Sequence, residues 1–323
     1  MIHLAMLKKT FVVSIAVFST LITIISCNSI VGSTNSSELG DSTDILAGKN
    51  TKIQKDTVRL MDILDSLNKG KIQFPPLDSI NKVDPKQAKK MLRDSIYREL
   101  NKKDKHIYLT FDDGPLIGSS AIDSIITSKN IKISTFLIGK HAGMSKRLKR
   151  DFEHYMNNPL VDCYNHSYSH AANKFHVFYS NPDLAVADFE KCEKELGLKH
   201  KIVRMPGRNI WLYDDVRRVD LTSGSQTADL LGVNGYRIYG WDVEWKINGL
   251  TGKPVQSVEE LYGRIRNMLG NKSTLKPNNI VLLMHDDMFQ NKKGQQLLSN
   301  LIDSLKQHKD YKFDFIANYP IKY

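Results

Sequence analysis

Cysteine is nearly absent from this chain: three in 323 residues, at Cys27, Cys163 and Cys192. That excludes a disulfide-stapled scaffold and a multi-cysteine zinc framework. Cys163 falls in an expected strand and Cys192 in an expected helix, so both read as buried apolar filler and neither as a catalytic thiol. Long hydrophobic runs are equally scarce. Phe11 to Ile25 is apolar and uncharged, but it is short for a membrane-spanning helix, which needs roughly 20 residues. Acidic side chains are outnumbered, 35 Asp and Glu against 46 Lys and Arg, for a formal charge of +11. The excess lies in short patches such as Lys102-Lys103-Asp104-Lys105 and Lys146 to Arg150, which read as solvated faces. No zinc-finger, RRM or basic-helix pattern accompanies it, which argues against a nucleic-acid partner.

What is present at the N-terminus has the form of a targeting segment. Lys8-Lys9 ahead of the apolar run gives residues 1–26 the pattern of a signal peptide. Ile24-Ile25-Ser26-Cys27 resembles a bacterial lipobox, in which Cys27 would be lipidated after cleavage. The expectation is an exported protein, lipid-anchored to the bacterial cell envelope at the periplasm or cell surface; a plain signal peptide or a membrane anchor is the alternative. Residues 27–50, rich in Ser, Thr, Gly and Asn, read as a flexible stalk. Residues 51–100 read as a helical extension. Val58, Met61, Leu64 and Leu67 recur at helical spacing, and Asp84-Pro85 is a helix-start signal before Ala88, Met91, Leu92 and Ile96. Neither pattern lasts for several heptads, so a coiled-coil partner is not expected, and no obligate protein partner is evident.

From residue 101 to 323, strand-like and helix-like runs alternate. His106 to Phe111, Ile131 to Ile138, Leu160 to Asn165, Lys201 to Arg204, Tyr236 to Trp245, Asn279 to Met284 and Tyr311 to Phe315 read as seven strands. Ser119 to Ser128, Ser145 to Met156, Pro182 to Leu196, Val258 to Leu269 and Gly294 to His308 read as helices. Such alternation predicts a parallel α/β architecture, either a barrel or an open sheet. In a parallel barrel, chemistry gathers where the strands end at their C-terminal edge.

The polar residues fall at those ends. Thr110-Phe111-Asp112-Asp113-Gly114-Pro115 closes a buried strand with two carboxylates and a turn, so one acid could bind a cation while its neighbour accepts a proton. In His166-Ser167-Tyr168-Ser169-His170 the two histidines are four apart; on a helical turn they would share one face and could bind a divalent ion. Taken singly, each motif has a bland reading, a solvated turn or a chance His pair. Arg204 ends Lys201-Ile202-Val203 ahead of Pro206-Gly207, Asp242 and Glu244 alternate along Trp241 to Trp245, and His285 follows the apolar Leu283-Met284. These too could be a surface ion pair, core tryptophans and a satisfied core histidine.

The ordered set is similar to the five motifs of the NodB-homology polysaccharide deacetylases, carbohydrate esterase family four, over roughly Ile107 to the C-terminus. The resemblance implies a distorted, incomplete parallel (β/α) barrel of the seven-stranded type, preceded here by a short helical N-terminal region. It implies that Asp113, His166 and His170 hold a divalent metal, Zn2+ or another transition metal. Asp112 would be the base for the attacking water, held ionised and aimed by Arg204. The Gly207 N–H would help the metal stabilise the oxyanion, His285 would protonate the leaving amine, and Leu283 would line the pocket for the acetyl methyl. Family members often carry an aromatic residue directly after the third-motif proline, where this chain has Gly207. In the fourth motif Glu244, or Asp242 with a one-step shift, would orient His285, and Trp245 would wall the acetyl pocket. The implied activity is removal of acetyl from an N-acetylated glycan, N-acetylglucosamine residues of peptidoglycan or a chitin-like polymer. The alternatives are an O-acetyl esterase on an acetylated polysaccharide and a non-catalytic glycan-binding envelope lipoprotein.

Overall fold

A computed structural model describes residues 85–321. The signal segment 1–26, Cys27, the stalk 27–50 and the helical pattern from Val58 to Leu67 lie outside the described residues. The helix expected after Asp84 is α1, Pro85–Asn101. It is tied to the domain by buried Ile96 and Leu100, by Tyr97 Oη donating to the Asn271 carbonyl at 3.1 Å, and by Asn278 Nδ2 donating to the Leu100 carbonyl at 2.6 Å.

The sheet is built around β1, Lys105–Gly114, whose middle is buried throughout. A parallel strand is covered on both faces, which explains its unbroken apolar run. β1 pairs in parallel with β2, Ile133–Leu137, on one side and with β11, Asn279–His285, on the other, while β12, Tyr311–Phe313, pairs with its first residues. Outward from β2 follow β3, Val161–Asn165, then β4, Ile202–Val203, and β7, Arg237–Ile238, all parallel. Beyond β11 lies β8, Val243–Glu244, while β9, Ile247–Asn248, and β10, Lys253–Pro254, form a separate two-stranded antiparallel ladder. β5, Ile210–Tyr213, and β6, Val216–Val219, form an antiparallel hairpin at the far edge, which sequence patterning did not foresee. The parallel core is therefore as expected, and the sheet as a whole is mixed.

The expected strand from Tyr236 to Trp245 is instead two strands on opposite sides of the curled sheet. β7 pairs with β4 and β8 with β11. The chain from Ile238 to Val243 can span at most about 17 Å, so the two sides of the sheet must approach that closely. This bridge gives the half-barrel its curl without a hydrogen-bonded ladder between β7 and β8.

Strand alternation sorts the two faces. Ile107, Leu109 and Phe111 of β1, Val161 and Cys163 of β3, and Ile280, Leu282 and Met284 of β11 face a layer of helices. That layer is α2, Ser119–Lys129, α3, Lys146–Asn157, α5, Pro182–Leu196, α7, Val258–Gly270, and α8, Lys292–Lys306, with a short α4, Phe175–Tyr179, and α6, Ser225–Val233, beside the third motif. The opposite parity, Tyr108, Phe136, Tyr164, Ile202 and Val281, joins Trp211, Tyr213, Tyr239 and Tyr319 in an aromatic floor inside the curl. Continued two residues toward the C-terminal edge, the same parity gives Thr110 and Asp112, His166, Arg204, and Leu283 and His285. The sheet thus aims the polar residues inward above that floor.

Candidate active site

Asp112 and Asp113 are consecutive, and alternation should send one of them outward. A register shift between Asp112 and Gly114 and a left-handed Asp113, φ 71°, let both reach one cavity. The Asp113 carbonyl accepts from His141 Nδ1 at 2.8 Å. Gly114 is required by the side chain packed against it: a Cβ there would lie 2.8 Å from Asp286 Oδ2.

His166 and His170 come together by a different route from the helical turn expected. His166 follows β3 directly, Ser167 is left-handed, and the short 3-10 turn His170–Asn173 has positive φ throughout. The conformation costs about 1–2 kcal/mol per residue for L side chains, and side-chain acceptors fix the loop ahead of it. Asn165 Oδ1 takes the Ser167 amide at 2.8 Å, Asp188 Oδ1 takes those of Tyr168 and Ser169 at 2.8 and 3.0 Å, and Ser167 Oγ takes that of His170 at 3.0 Å.

The imidazoles are oriented from behind. His166 Nδ1 is 2.8 Å from the Arg204 carbonyl, and His170 Nδ1 is 3.2 Å from Asn173 Oδ1. Donation of Nδ1–H to those oxygens turns both Nε2 lone pairs toward Asp113. Asp113 Oδ1 lies 3.5 Å from His166 Nε2 and 3.2 Å from His170 Nε2. It is buried with no hydrogen-bond donor. Three acceptors within 4.8 Å of one another, with no proton between them, make a donor set suited to a divalent cation. Burial would raise the Asp113 carboxyl, but His166, His170, His285 and His141 outweigh it and hold it below the usual value. Burial pushes His166 below the usual imidazole value, with Asp112 and Asp113 opposing. Both shifts favour the forms that ligate metal.

Arg204 has no exposed surface. Its guanidinium donates to Asp112 Oδ1 at 2.8 Å, Thr110 Oγ1 at 2.7 Å, the Tyr239 carbonyl at 3.2 Å and the Gly240 carbonyl at 2.8 Å. One side chain therefore aims the Asp112 carboxylate and ties down the bridge that curls the sheet. The other oxygen, Asp112 Oδ2, is 3.6 Å from His166 Nε2.

Asp112, Asp113, His166, His170, Gly207, Glu244, Leu283 and His285 line one cavity of about 300 Å³, with Met205, Phe175 and Trp241. Two expected residues are elsewhere. Asp242 turns its carboxylate onto the backbone amides of Leu275, 2.7 Å, and Val281, 3.0 Å, so it does not orient His285. Trp245 is fully buried, donates Nε1 to the Gln256 carbonyl at 2.9 Å, and belongs to the core under the helices. Trp241 lines the cavity in its place. Asn209 holds it there, accepting from the Trp241 amide at 3.0 Å and donating to its carbonyl at 3.0 Å. Glu244 shares the cavity with His285, but no hydrogen bond joins them, and His285 Nδ1 is buried without a partner. Cys163 and Cys192 are buried free thiols, both pushed up to about 12 by burial, and stand outside the cavity.

Phe175, Trp241, Asn209 and His141 were not singled out as site residues from the sequence. Gly240 is a signal for the Asn209 clamp, since a Cβ there would lie 2.0 Å from Asn209 Oδ1.

Residues 99–213 match the family model described as polysaccharide deacetylase. The match spans Asp112, Asp113, His166, His170, Arg204 and Gly207 and ends before Glu244 and His285. No curated protein matches the chain. Among solved structures, a CE4 esterase from Streptococcus mutans is 17% identical, with 67% of this chain and 89% of that one covered at a TM-score of 0.50. That likeness is one of fold. The catalytic domain of a peptidoglycan N-acetylglucosamine deacetylase from Eubacterium rectale is 21% identical over 67% of this chain and 90% of its own, TM-score 0.48. A family 4 carbohydrate esterase from Streptomyces lividans, in complex with acetate, is 16% identical over 68% and 96%, TM-score 0.47.

Proposed function

We propose, for a chain whose residues 99–213 match the polysaccharide deacetylase family model, that it hydrolyses the acetamide of N-acetylglucosamine units in peptidoglycan or a chitin-like polymer and releases acetate. The observation that carries this reading is the convergence of Asp113 Oδ1 and the two histidine Nε2 atoms beside an Asp112 that Arg204 holds in place. A divalent ion bound there, zinc by the donor set, would polarise the acetyl carbonyl and acidify a water.

The chain's own groups account for the proton movements. Asp112, with one oxygen on Arg204 and the other toward the cavity, takes a proton from the attacking water. The Gly207 N–H donates to the oxygen on which negative charge develops. His285 of β11, in register with Asp112 of the adjacent β1, returns a proton to the departing amine. Leu283 and Trp241 wall the acetyl methyl.

The unpartnered Nδ1 of His285 supports a second reading. With no carboxylate on Nδ1 to fix its tautomer and orientation, His285 is less well held for protonating a departing amine, and an ester demands less of it. O-deacetylation of an acetylated polysaccharide is therefore the competing activity. Acetate release from N-acetylglucosamine oligomers and from acetylated xylan separates the two; no release from the amide, with release from the ester, overturns the first.

For location, we propose export and lipidation at Cys27, on the strength of Ile24-Ile25-Ser26-Cys27 after a basic, then apolar, N-terminus. Metabolic labelling with a fatty-acid analogue tests it: label lost in Cys27→Ala supports the anchor, and label retained removes it.

A further inference from the structure

The third-motif segment Arg204-Met205-Pro206-Gly207 has no side chain after its proline. Gly207 is exposed and left-handed at φ +63°, a conformation that disfavours any replacement. An aromatic ring nevertheless stands at that position. A Cβ on Gly207 would lie 3.4 Å from Cε1, Cε2 and Cζ of Phe175.

Phe175 comes from α4, and three contacts fix it there. The left-handed turn His170–Asn173 folds the chain back, so that the Phe175 ring meets the His170 ring edge-on at 5.6 Å. Tyr179 Oη, one helical turn on, donates to the Pro206 carbonyl at 2.8 Å and pins the helix to the third motif. The Arg208 guanidinium lies 5.8 Å from the Phe175 ring centre and is itself held by the Ser223 and Gly207 carbonyls at 2.9 and 2.8 Å. The ring is half-buried on the cavity wall, and Phe175 and Trp241 are the wall's two large apolar aromatics.

We propose that Phe175 is the platform against which a sugar ring of the glycan packs, supplying from a neighbouring helix the aromatic surface that position 207 lacks. The apolar C–H face of a pyranose is a fitting partner for a ring so placed. The proposal rests on the glycan-deacetylase reading. It makes Phe175 a determinant of substrate affinity rather than of the chemical step.

The test uses the metal-loaded chain and a tetramer of β-1,4-linked N-acetylglucosamine, with Phe175→Ala, Phe175→Leu and Phe175→Tyr. An aromatic contact of this kind corresponds to an increase of about fivefold in KM for the Ala and Leu forms, with the Tyr form close to wild type. The change in kcat stays under about twofold because the step itself is untouched. Metal content, measured by emission spectroscopy, stays at the wild-type level in all three. A fall in metal content or kcat without a rise in KM overturns the proposal and makes Phe175 a prop for His170. A Leu form equal to wild type also overturns it, because bulk alone would then suffice. Calorimetric titration with the same tetramer keeps the two readings apart. If wild type binds it but releases no acetate, the deacetylase reading fails, and the variants decide the platform through Kd. If it is neither bound nor cleaved, both fall.

Discussion

Arg204→Lys probes the side chain that links the barrel's curl to its chemistry. Arg204 makes four hydrogen bonds from three nitrogens, two of them from Nη1 to Asp112 and Thr110 and one each from Nε and Nη2 to the Tyr239 and Gly240 carbonyls. A lysine ammonium is a single point of donation and can replace the Nη1 pair, but it lacks the fork that reaches the bridge. Two buried carbonyls would lose their donors, at about 1–2 kcal/mol each, so the variant should be less stable by about 2–4 kcal/mol. A domain of this size keeps about 5–15 kcal/mol in hand, so it should still fold. At a urea dependence of about 2–3 kcal/mol per molar, the unfolding midpoint should fall by about 1 M, measured at fixed metal concentration. Metal stoichiometry should not change, because His166 is oriented by the Arg204 main-chain carbonyl, which any substitution retains. A midpoint within about 0.2 M of wild type would refute the claim that the guanidinium holds the bridge, since the expected shift is several times larger.

Asp242→Ala should cost about 2–4 kcal/mol by orphaning the Leu275 and Val281 amides; Glu244→Gln should leave the unfolding midpoint nearly unmoved, and the opposite ranking in urea would reverse the assignment of the two acids. Added Zn2+ should raise the melting temperature of the wild-type chain and not that of His166→Ala/His170→Ala, since a ligand stabilises only the state that binds it; an equal rise in both would place the ion elsewhere. Metal affinity should persist below pH 6.5, because His166 titrates beneath the ordinary imidazole value; a midpoint of metal loss above that pH counts against the site. Asp286, bonded to Ser119 and to Tyr155 at 3.1 Å, is raised to about 7, chiefly by burial. A carboxyl raised in the folded state contributes stability that is full below its unfolded value and is lost as pH rises through 7, so Asp286→Asn should flatten the decline in urea midpoint between pH 4 and 7; equal slopes in both proteins would show that Asp286 is not its source.

The sequence makes legible those parts of the site whose direction is set by a strand. Ile107 to Phe111 reads as a buried parallel strand, and the alternation that sends Tyr108 inward also sends Thr110 and Asp112 inward. The same parity carries Tyr164 to His166 and Val281 to His285, so the residues proposed as base, metal ligand and proton donor follow from strands readable in one dimension. His170 does not, because its position depends on left-handed residues and on Asp188, eighteen residues on in α5, whose carboxylate holds the loop amides. A spacing of four residues indicated that two histidines could meet, and an irregular loop rather than a helix achieves it.

The fourth motif shows the limit of that reasoning. Taken as one strand, Trp241 to Trp245 would put Asp242 and Glu244 on one face and the two tryptophans on the other. β8 begins only at Val243, so parity holds for Val243, Glu244 and Trp245 and fails for the two residues before them. Those two lie on the bridge, where Asn209, thirty-two residues before Trp241, fixes its main chain and the Leu275 and Val281 amides fix Asp242. Gly240 marks the break within the sequence itself: a glycine inside a strand-like run signals close backbone approach, and here Asn209 Oδ1 occupies the space a Cβ would need. Reading that glycine as the end of one strand removes the basis for treating Asp242 and Glu244 as equivalent, because only Glu244 then belongs to a strand whose alternation points into the cavity.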